Sequence, residues 1–287
     1  MNHVQRDILW VRTPKVNTVG VNHNNRLLLE PGHWEEYDPF LLLAEDWFVK
    51  GSFGLHPHRG METVTYILEG KLDHFDNNGG KDELHPGDAQ WMTAGRGVIH
   101  LEDPAEGIKV HSYQLWVNLA SDKKMSEPRY QNLRSANIPI RQGKGATVKV
   151  FSGSSAGITA PTENHTPVTM VEFNLEAGAT ITQDLPGSYN GFLVVVEGEG
   201  VFGNNRMVGL QGQILWLGSG IGDVTHIAET KDITTSEVVI EATTPLRVLL
   251  YAGQPLNEPV VARGPFVMNT DAQIQEAYQD YRDGKFE

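Results

Sequence analysis

The two halves of this chain carry the same turn signals at nearly the same intervals. Glu69-Gly70, at the end of one apolar run, corresponds to Glu197-Gly198, 128 positions later. Further on, Gly87-Asp88 corresponds to Gly212-Gln213, 125 positions later, and a tryptophan follows three residues after each pair. A loop three residues shorter in one copy is a change that a surface hairpin tolerates. The halves are therefore interpreted as diverged copies of one folding unit.

Short apolar or alternating runs between turn residues dominate both copies. Glu62–Leu68, Val110–Val117 and Phe192–Val196 are examples, and Pro86-Gly87 is one of the turn signals between such runs. Many short strands at this spacing are typical of a β-sandwich or barrel rather than of βαβ units. We therefore predict an all-β chain of two tandem barrels.

The main helical signal lies at the end of the chain. Apolar residues recur with helical spacing from Ile274 to Tyr281, Thr270 and Gln273 match a capping box, and Gly284 follows as a stop signal. We predict a C-terminal helix here, and because it could seal the chain's own barrel we expect a monomer.

A polar stretch with two prolines, from Ser121 to Gly145, is interpreted as the connection between the barrels. The predicted boundaries are 1–125 for the N-terminal domain, 126–145 for the linker and 146–287 for the C-terminal domain with its helix. A chain of 287 residues suits two domains of about 120–150 residues each.

Charge and composition exclude several classes of function. The formal net charge is −13 with no long Lys/Arg cluster, which argues against direct binding of nucleic acid. Because the chain has no cysteine, any metal must bind to nitrogen and oxygen ligands. The sequence shows neither a signal-peptide pattern nor a membrane span, so we expect no membrane association and a cytoplasmic location.

Two short segments place metal-binding side chains two residues apart. His56 and His58 form the first pair; His100 and Glu102 form the second and follow a glycine-rich turn at Thr93–Gly97. Residues two apart on a strand point to the same face, and three imidazoles with a carboxylate suit a divalent transition metal with open positions. This spacing matches a cupin barrel, with one ligand pair on an early strand and the other on a later antiparallel strand. Three further histidines are expected to be ordinary polar residues: His74, His85 and His111.

The second copy serves as an internal control. With the offset of 128 positions, His56 and His58 correspond to Asp184 and Pro186. With the offset of 125 positions, His100 and Glu102 correspond to Thr225 and Ile227. His226 is one residue out of register, which would turn it to the opposite face. We therefore predict one metal site, in the N-terminal half.

Four segments carry a resemblance to a known family: HPHRGMETVTYILEG, PGDAQWMTAGRGVIHLEDP, and the C-terminal EPVVARGPFVMNT and DYRDGKFE. They closely resemble the pirin family of bicupins, and the resemblance extends over nearly the whole chain. The resemblance implies two tandem cupin (double-stranded β-helix, jelly-roll) barrels. It also implies that His56, His58, His100 and Glu102 are metal ligands and that iron is the usual metal. Manganese, nickel, cobalt, copper or zinc would also suit these ligands.

The identity of the carboxylate ligand stays open at this point. Many other cupins take it from the first motif, at the position of Glu62. By strand parity Glu62 shares a face with Val64 and Tyr66, a face expected to point into the barrel. The alternative is that Glu102 binds the metal and Glu62 accepts a hydrogen bond that orients a ligand imidazole or Arg59.

The resemblance implies a quercetin 2,3-dioxygenase-type oxidoreductase that acts on a small planar aromatic flavonol with O2, with Glu102 or Glu62 as the base. The alternative is an iron-dependent, redox-sensing regulatory protein that binds a protein partner, either a transcription factor or a metabolic enzyme. A third, weaker option is a cupin isomerase or sugar-binding protein.

Overall fold

The computed structural model describes residues 3–76, 80–219 and 235–286, and these residues are mostly in β-strands. The elements of the first part of the chain are β1 (His3–Gln5), β2 (Ile8–Arg12), β3 (Asn17–Gly20), β4 (His23–Leu29), α1 (Trp34–Tyr37), β5 (Phe40–Val49), β6 (His56–His58), β7 (Met61–Glu69), β8 (Leu72–Asp76), β9 (Lys81–Leu84), β10 (Ala89–Thr93), β11 (Val98–Asp103), β12 (Lys109–Asn118), β13 (Arg129–Leu133) and a 3-10 turn (Ser135–Asn137). Those of the second part are β14 (Ile140–Gly143), β15 (Ala146–Ser152), β16 (Ser154–Ser155), β17 (Ile158–Thr159), β18 (Val168–Leu175), β19 (Thr180–Pro186), β20 (Asn190–Glu197), β21 (Glu199–Phe202), β22 (Met207–Leu210), β23 (Ile214–Leu217), β24 (Thr235–Ala242), β25 (Leu246–Gly253), β26 (Val261–Arg263), β27 (Phe266–Met268) and α2 (Asp271–Arg282).

The chain folds into two compact units, and neither is continuous in sequence. The N-terminal barrel consists of Lys15–Asn137 and Leu256–Glu287, and the C-terminal barrel of Met1–Pro14 and Ile138–Pro255. These units differ from the boundaries 1–125, 126–145 and 146–287 at both ends of the chain. The first strands join the C-terminal barrel because β1 pairs with β24 and β2 with β23. Such pairing between distant segments leaves no local signal in the sequence.

The N-terminal barrel consists of two antiparallel sheets. One has the strand order β13-β10-β7-β12-β5-β4-β3 and the other the order β6-β11-β8-β9. Strand β7 lies in the middle of the larger sheet, and its residues Met61–Leu68 are buried on both faces. The smaller sheet carries both predicted ligand pairs, on its neighbouring strands β6 and β11.

The C-terminal barrel repeats this architecture. Its sheets have the orders β2-β23-β20-β25-β18-β15-β14 and β19-β24-β21-β22, and β1 adds to β24. One turn has the same backbone hydrogen bond in both barrels. The Gly87 amide donates to the Ile67 carbonyl in the first, and the Gly212 amide donates to the Val195 carbonyl in the second, both at 2.8 Å. The internal duplication predicted from the sequence is therefore confirmed, and the chain is all-β with two tandem cupin barrels.

The C-terminal helix is also confirmed. Both capping-box bonds between Thr270 and Gln273 are present at the start of α2. The helix packs its buried residues Ile274 and Ala277 into a cluster with Ile99 of β11. The prediction of a helix that covers a barrel therefore holds, although the barrel that it covers is the N-terminal one. No helix among the described residues is both long and apolar enough to span a membrane.

Candidate metal centre

The strand register of the smaller sheet brings the predicted ligands together. On β6 and β11, His56 lies directly opposite His100, and on β11 and β8, Glu102 lies opposite His74. The ligand atoms of His56, His58 and His100 all lie within 4.8 Å of one another, and so do those of His74, His100 and Glu102. Since His100 belongs to both groups, the five side chains form one cluster, which we call the metal cluster.

The two imidazoles that face each other have the geometry of neighbouring metal ligands. The Nδ1 atom of His56 lies 2.8 Å from the Gly54 carbonyl oxygen, which leaves its Nε2 free to bind a metal. That Nε2 lies 3.0 Å from Nε2 of His100. Two nitrogens that are each about 2.1 Å from one ion, at an angle of about 90°, are about 3.0 Å apart. The spacing therefore fits a shared ion.

Burial favours the uncharged form of two imidazoles of the cluster, those of His58 and His100. Burial, and then repulsion from His56, lowers the pKa of His58 to about 3. Burial also lowers the pKa of His100 well below its ordinary value. Among the described residues, neither ring nitrogen of His58 has a partner with good hydrogen-bond geometry. Neutral buried nitrogens without partners are rare in folded proteins, and a metal ion would satisfy them. The residues present therefore fit a divalent metal.

The Glu102 carboxylate is held by two donors. The Thr65 hydroxyl donates to Oε1 at 2.8 Å, and the Gln114 amide donates to Oε2 at 2.9 Å. The Trp116 indole N–H in turn lies 3.3 Å from the Gln114 side-chain oxygen. Each carboxylate oxygen keeps a second lone pair, so the carboxylate is oriented and can still bind a metal. Such outer partners fix a ligand's direction.

Glu62 is not one of the five residues of the metal cluster. It is fully buried, and its Oε1 accepts a hydrogen bond from the Thr93 hydroxyl at 2.7 Å. Because Thr65 of β7 contacts Glu102, the odd-numbered residues of this strand face the cluster, and Glu62, Val64 and Tyr66 face the other way. The parity expectation for this face was therefore wrong. Both faces of β7 are buried, so the hydrophobic pattern could not show which face is turned to the metal cluster.

His74 is the member of the cluster that sequence reasoning missed. Its ring is buried between His100 and Tyr130, with centroid distances of 5.3 and 4.6 Å. Burial lowers its pKa, and neither ring nitrogen makes a hydrogen bond within the described residues. The only signal that could have found it is its register opposite Glu102. His85 and His111 are outside the cluster and contact Glu83 and Glu45 instead.

A cavity of about 570 Å³ opens onto the metal cluster. The polar residues of its lining at the cluster are His56, His58, Glu102, Thr65 and Gln114, and further polar residues line it away from the cluster. Its apolar lining includes Leu27, Leu42, Phe48, Phe53, Leu72 and Trp116. The volume and the largely apolar lining are typical of a site for a small organic ligand.

The C-terminal barrel has lost these ligands. Strand pairing gives the equivalents of His56, His58, His74, His100 and Glu102 as Gln183, Leu185, Phe202, Val238 and Ile240, respectively. Four of the five equivalents are apolar and belong to the buried core of that barrel. In the described part of this barrel, no three histidines or carboxylates converge as they do in the N-terminal barrel.

The strand register corrects the equivalent positions that fixed sequence offsets predicted for the second barrel. Asp184 and Pro186 lie one residue beyond the inward-facing positions of β19, and both are exposed. Thr225, His226 and Ile227 lie outside the described residues. The strand that takes the place of β11 is β24, which begins later in the chain at residue 235. The offset between equivalent positions is therefore larger here than the 125 positions that separate the two tryptophans.

Two cupin barrels, of which one carries a His/Glu cluster beside a cavity, define a bicupin with a single candidate metal centre among the described residues. Residues 23–117 match the family model described as Pirin, and residues 170–287 match the Pirin C-terminal cupin domain. The chain belongs to the pirin family.

Individual relatives agree with this assignment. The chain is 41% identical to Pirin from Homo sapiens over 254 residues, which cover 86% of this chain and 82% of that protein. A crystal structure of a Geobacillus kaustophilus protein is 54% identical with a TM-score of 0.85, covering 90% of this chain and all of that one. A crystal structure of quercetin 2,3-dioxygenase from Acinetobacter baumannii is 31% identical with a TM-score of 0.83, covering 99% of both chains.

Proposed function

We propose that this chain is a metal-dependent dioxygenase that opens the central ring of quercetin or a similar flavonol with O2. The observation that carries the proposal is the metal cluster at the wall of a largely apolar cavity of about 570 Å³. A planar aromatic molecule suits such a cavity, and its polar edge can meet the cluster. The similarity to the Acinetobacter quercetin 2,3-dioxygenase over 99% of the chain supports the same reaction class.

His56, His58, His100 and Glu102 would hold one divalent metal per chain. Iron is the first candidate, and manganese, nickel, cobalt, copper or zinc suit the same nitrogen and oxygen donors. When bound, the metal supplies Lewis-acid and redox chemistry to the substrate's enol oxygen and to O2. His74 lies beside this set and contacts the His100 ring.

Glu102 is the proposed base. It lines the cavity, whereas Glu62 is not among the described residues that do so. A carboxylate at this position can accept the proton of the flavonol's enol hydroxyl, and the Thr65 and Gln114 donors hold it in place as its charge changes. Glu62, which accepts a hydrogen bond from the Thr93 hydroxyl, has a structural role in this scheme.

The apolar lining positions the substrate and excludes water. Trp116 packs against the His58 ring at a centroid distance of 5.3 Å, so an aromatic surface adjoins the ligands. Aromatic side chains beside a planar substrate favour stacked or edge-to-face contacts. In the overall reaction both oxygen atoms of O2 enter the ring-opened ester, and one ring carbon leaves as carbon monoxide.

The test is aerobic turnover of quercetin by protein of known metal content. We expect loss of the quercetin absorbance, an equal uptake of O2 and release of carbon monoxide, and we expect Glu102→Gln to abolish all three. Metal-free protein is the matched control. Protein with one metal per chain, shown by elemental analysis, that consumes no O2 with quercetin would overturn the proposal.

The second candidate is an iron-dependent regulatory protein, and one contact favours it. Arg59, next to the ligand His58, bonds Asp280 of α2 at 2.9 Å, and its guanidinium lies 4.4 Å from the centre of the Phe286 ring. A change at the metal could therefore reach the exposed face of α2. Hydrogen exchange of α2 that differs between the Fe(II) and Fe(III) forms would support this candidate, and equal exchange would contradict it.

A further inference from the structure

We propose that His23 and Asp46 form a second recognition site in the same cavity, which binds a phenolic hydroxyl of the substrate that does not contact the metal. The inference rests on the proposed function, since it takes a flavonol as the ligand. It adds a requirement to it: the substrate carries a hydroxyl on an outer ring. Neither residue belongs to the metal cluster.

The two side chains form a short, well-packed hydrogen bond. The Nε2 atom of His23 lies 2.6 Å from Oδ1 of Asp46, and the side chains are only 11% and 10% exposed. The His23 ring packs edge-on against Phe48 and Phe53, with centroid distances of 6.1 and 4.8 Å. These contacts fix the position of the imidazole before any ligand binds.

Both side chains line the cavity that opens onto the metal cluster. In the sheet register Asp46 lies opposite Asn25 of β4 and Ser112 of β12, and these two residues line the cavity as well. The rest of this lining on β4 and β5 is apolar, including Leu27 and Leu42. A polar patch thus lies on an otherwise apolar surface, where it can orient a ligand.

The chemistry of the pair suits a hydroxyl donor. The Asp46 carboxylate can accept the Nε2–H of His23, and in that tautomer of the imidazole Nδ1 is an acceptor. A phenol is a good donor to such a nitrogen. A site that hydrogen-bonds a substrate hydroxyl discriminates against an analogue that lacks it, because its polar groups are then left unpaired.

A second histidine–carboxylate pair provides the comparison. His111 Nε2 lies 2.8 Å from Glu45 Oε1, and these residues are 18% and 3% exposed. Glu45 also accepts from Arg26, and the His111 ring stacks on Trp47. This pair lies on the other face of β5 and is not among the described residues that line the cavity. Its chemistry matches that of His23 and Asp46, but its position does not.

The experiment measures the affinity of the metal-loaded protein for two flavonols by calorimetry under anaerobic conditions, so that turnover does not interfere. Quercetin carries hydroxyls on both outer rings, and 3-hydroxyflavone carries none. We expect His23→Phe, which keeps the aromatic packing, to weaken quercetin binding about tenfold or more and to leave 3-hydroxyflavone binding unchanged. His111→Phe should change neither affinity.

A second variant, Asp46→Asn, guards against a folding defect in the first. It should also weaken quercetin binding selectively, because the amide can donate to Nε2 and so reverses the tautomer of His23. Metal content and thermal unfolding of every variant are compared with the wild type. Equal losses for both flavonols, or no loss for either, would overturn the inference.

The outcomes separate this inference from the proposed function. If quercetin binds in a His23-dependent way but is not turned over, the dioxygenase proposal fails and the recognition site stands. If quercetin is turned over and His23→Phe binds it as the wild type does, the recognition site fails alone. If the wild-type protein binds neither flavonol, both proposals fail.

Discussion

Replacing Thr65 by valine keeps the shape of the side chain but removes the hydrogen bond that orients the Glu102 carboxylate, together with a long contact of 3.5 Å from the Gln114 amide. The Thr65 hydroxyl donates to Oε1 of Glu102 at 2.8 Å, and the two residues are only 3% and 6% exposed. A hydrogen bond to a charged group contributes about 1.5–3 kcal/mol, and about 1.4 kcal/mol corresponds to a tenfold change in affinity. We therefore expect Thr65→Val to weaken metal binding about 10–100-fold, in the range found when outer partners of metal ligands are removed.

The assay is competition with a chelator of known affinity, for Fe(II) or Mn(II) under anaerobic conditions. The Gln114 amide still donates to Oε2 at 2.9 Å, so binding is weakened and not abolished. Thr63→Val is the matched control, because Thr63 lies two residues earlier on β7 and is 2% exposed. Unchanged affinity in Thr65→Val, or an equal loss in Thr63→Val, would refute the reasoning that Glu102 is a ligand oriented by Thr65.

Three further predictions concern stability and the second carboxylate. In the metal-free chain the pKa of His58 falls from 6.5 to about 3 on folding; the unfolded state therefore binds more protons between these values, and stability falls by about 2 kcal/mol from pH 7 to pH 5. Urea titrations should show a loss at least this large in the wild type, because the pKa values of His100 and His74 are lowered as well. The loss in His58→Gln should be smaller by about 2 kcal/mol, and equal pH dependence would contradict the assignment. Gly97→Ala would place a Cβ atom 2.8 Å from the Phe286 ring, whereas Gly107→Ala, also at positive φ, meets nothing within 4 Å. Thermal unfolding should show Gly97→Ala to be less stable by about 1–3 kcal/mol than Gly107→Ala. Equal stabilities would show that the contact with Phe286 does not affect the free energy of unfolding. Glu62→Gln should keep one metal per chain by elemental analysis, and loss of the metal would make Glu62 the ligand.

The ligand pairs could be predicted from the sequence because they depend on local geometry. His56 and His58, and likewise His100 and Glu102, are two residues apart, and the strand period alone turns each pair to one face. The turn signals repeat at fixed offsets for the same local reason, so the duplication and the fold class were accessible as well.

The features that the sequence did not show depend on which strands pair and in what register. His74 joins the metal cluster only because β8 pairs with β11, and His23 meets Asp46 only because β4 pairs with β5. The face of Glu62 was ambiguous because β7 is buried on both sides. The assignment of the chain's two ends to opposite barrels is likewise a matter of long-range pairing.

The most direct test of this account is anomalous diffraction from crystals of the metal-loaded chain, recorded at the absorption edge of the metal supplied. We predict one peak per chain, within bonding distance of His56, His58, His100 and Glu102. A peak bound by Glu62, a peak in the C-terminal barrel, or no peak in protein that elemental analysis shows to contain metal would contradict the assignment of the metal cluster.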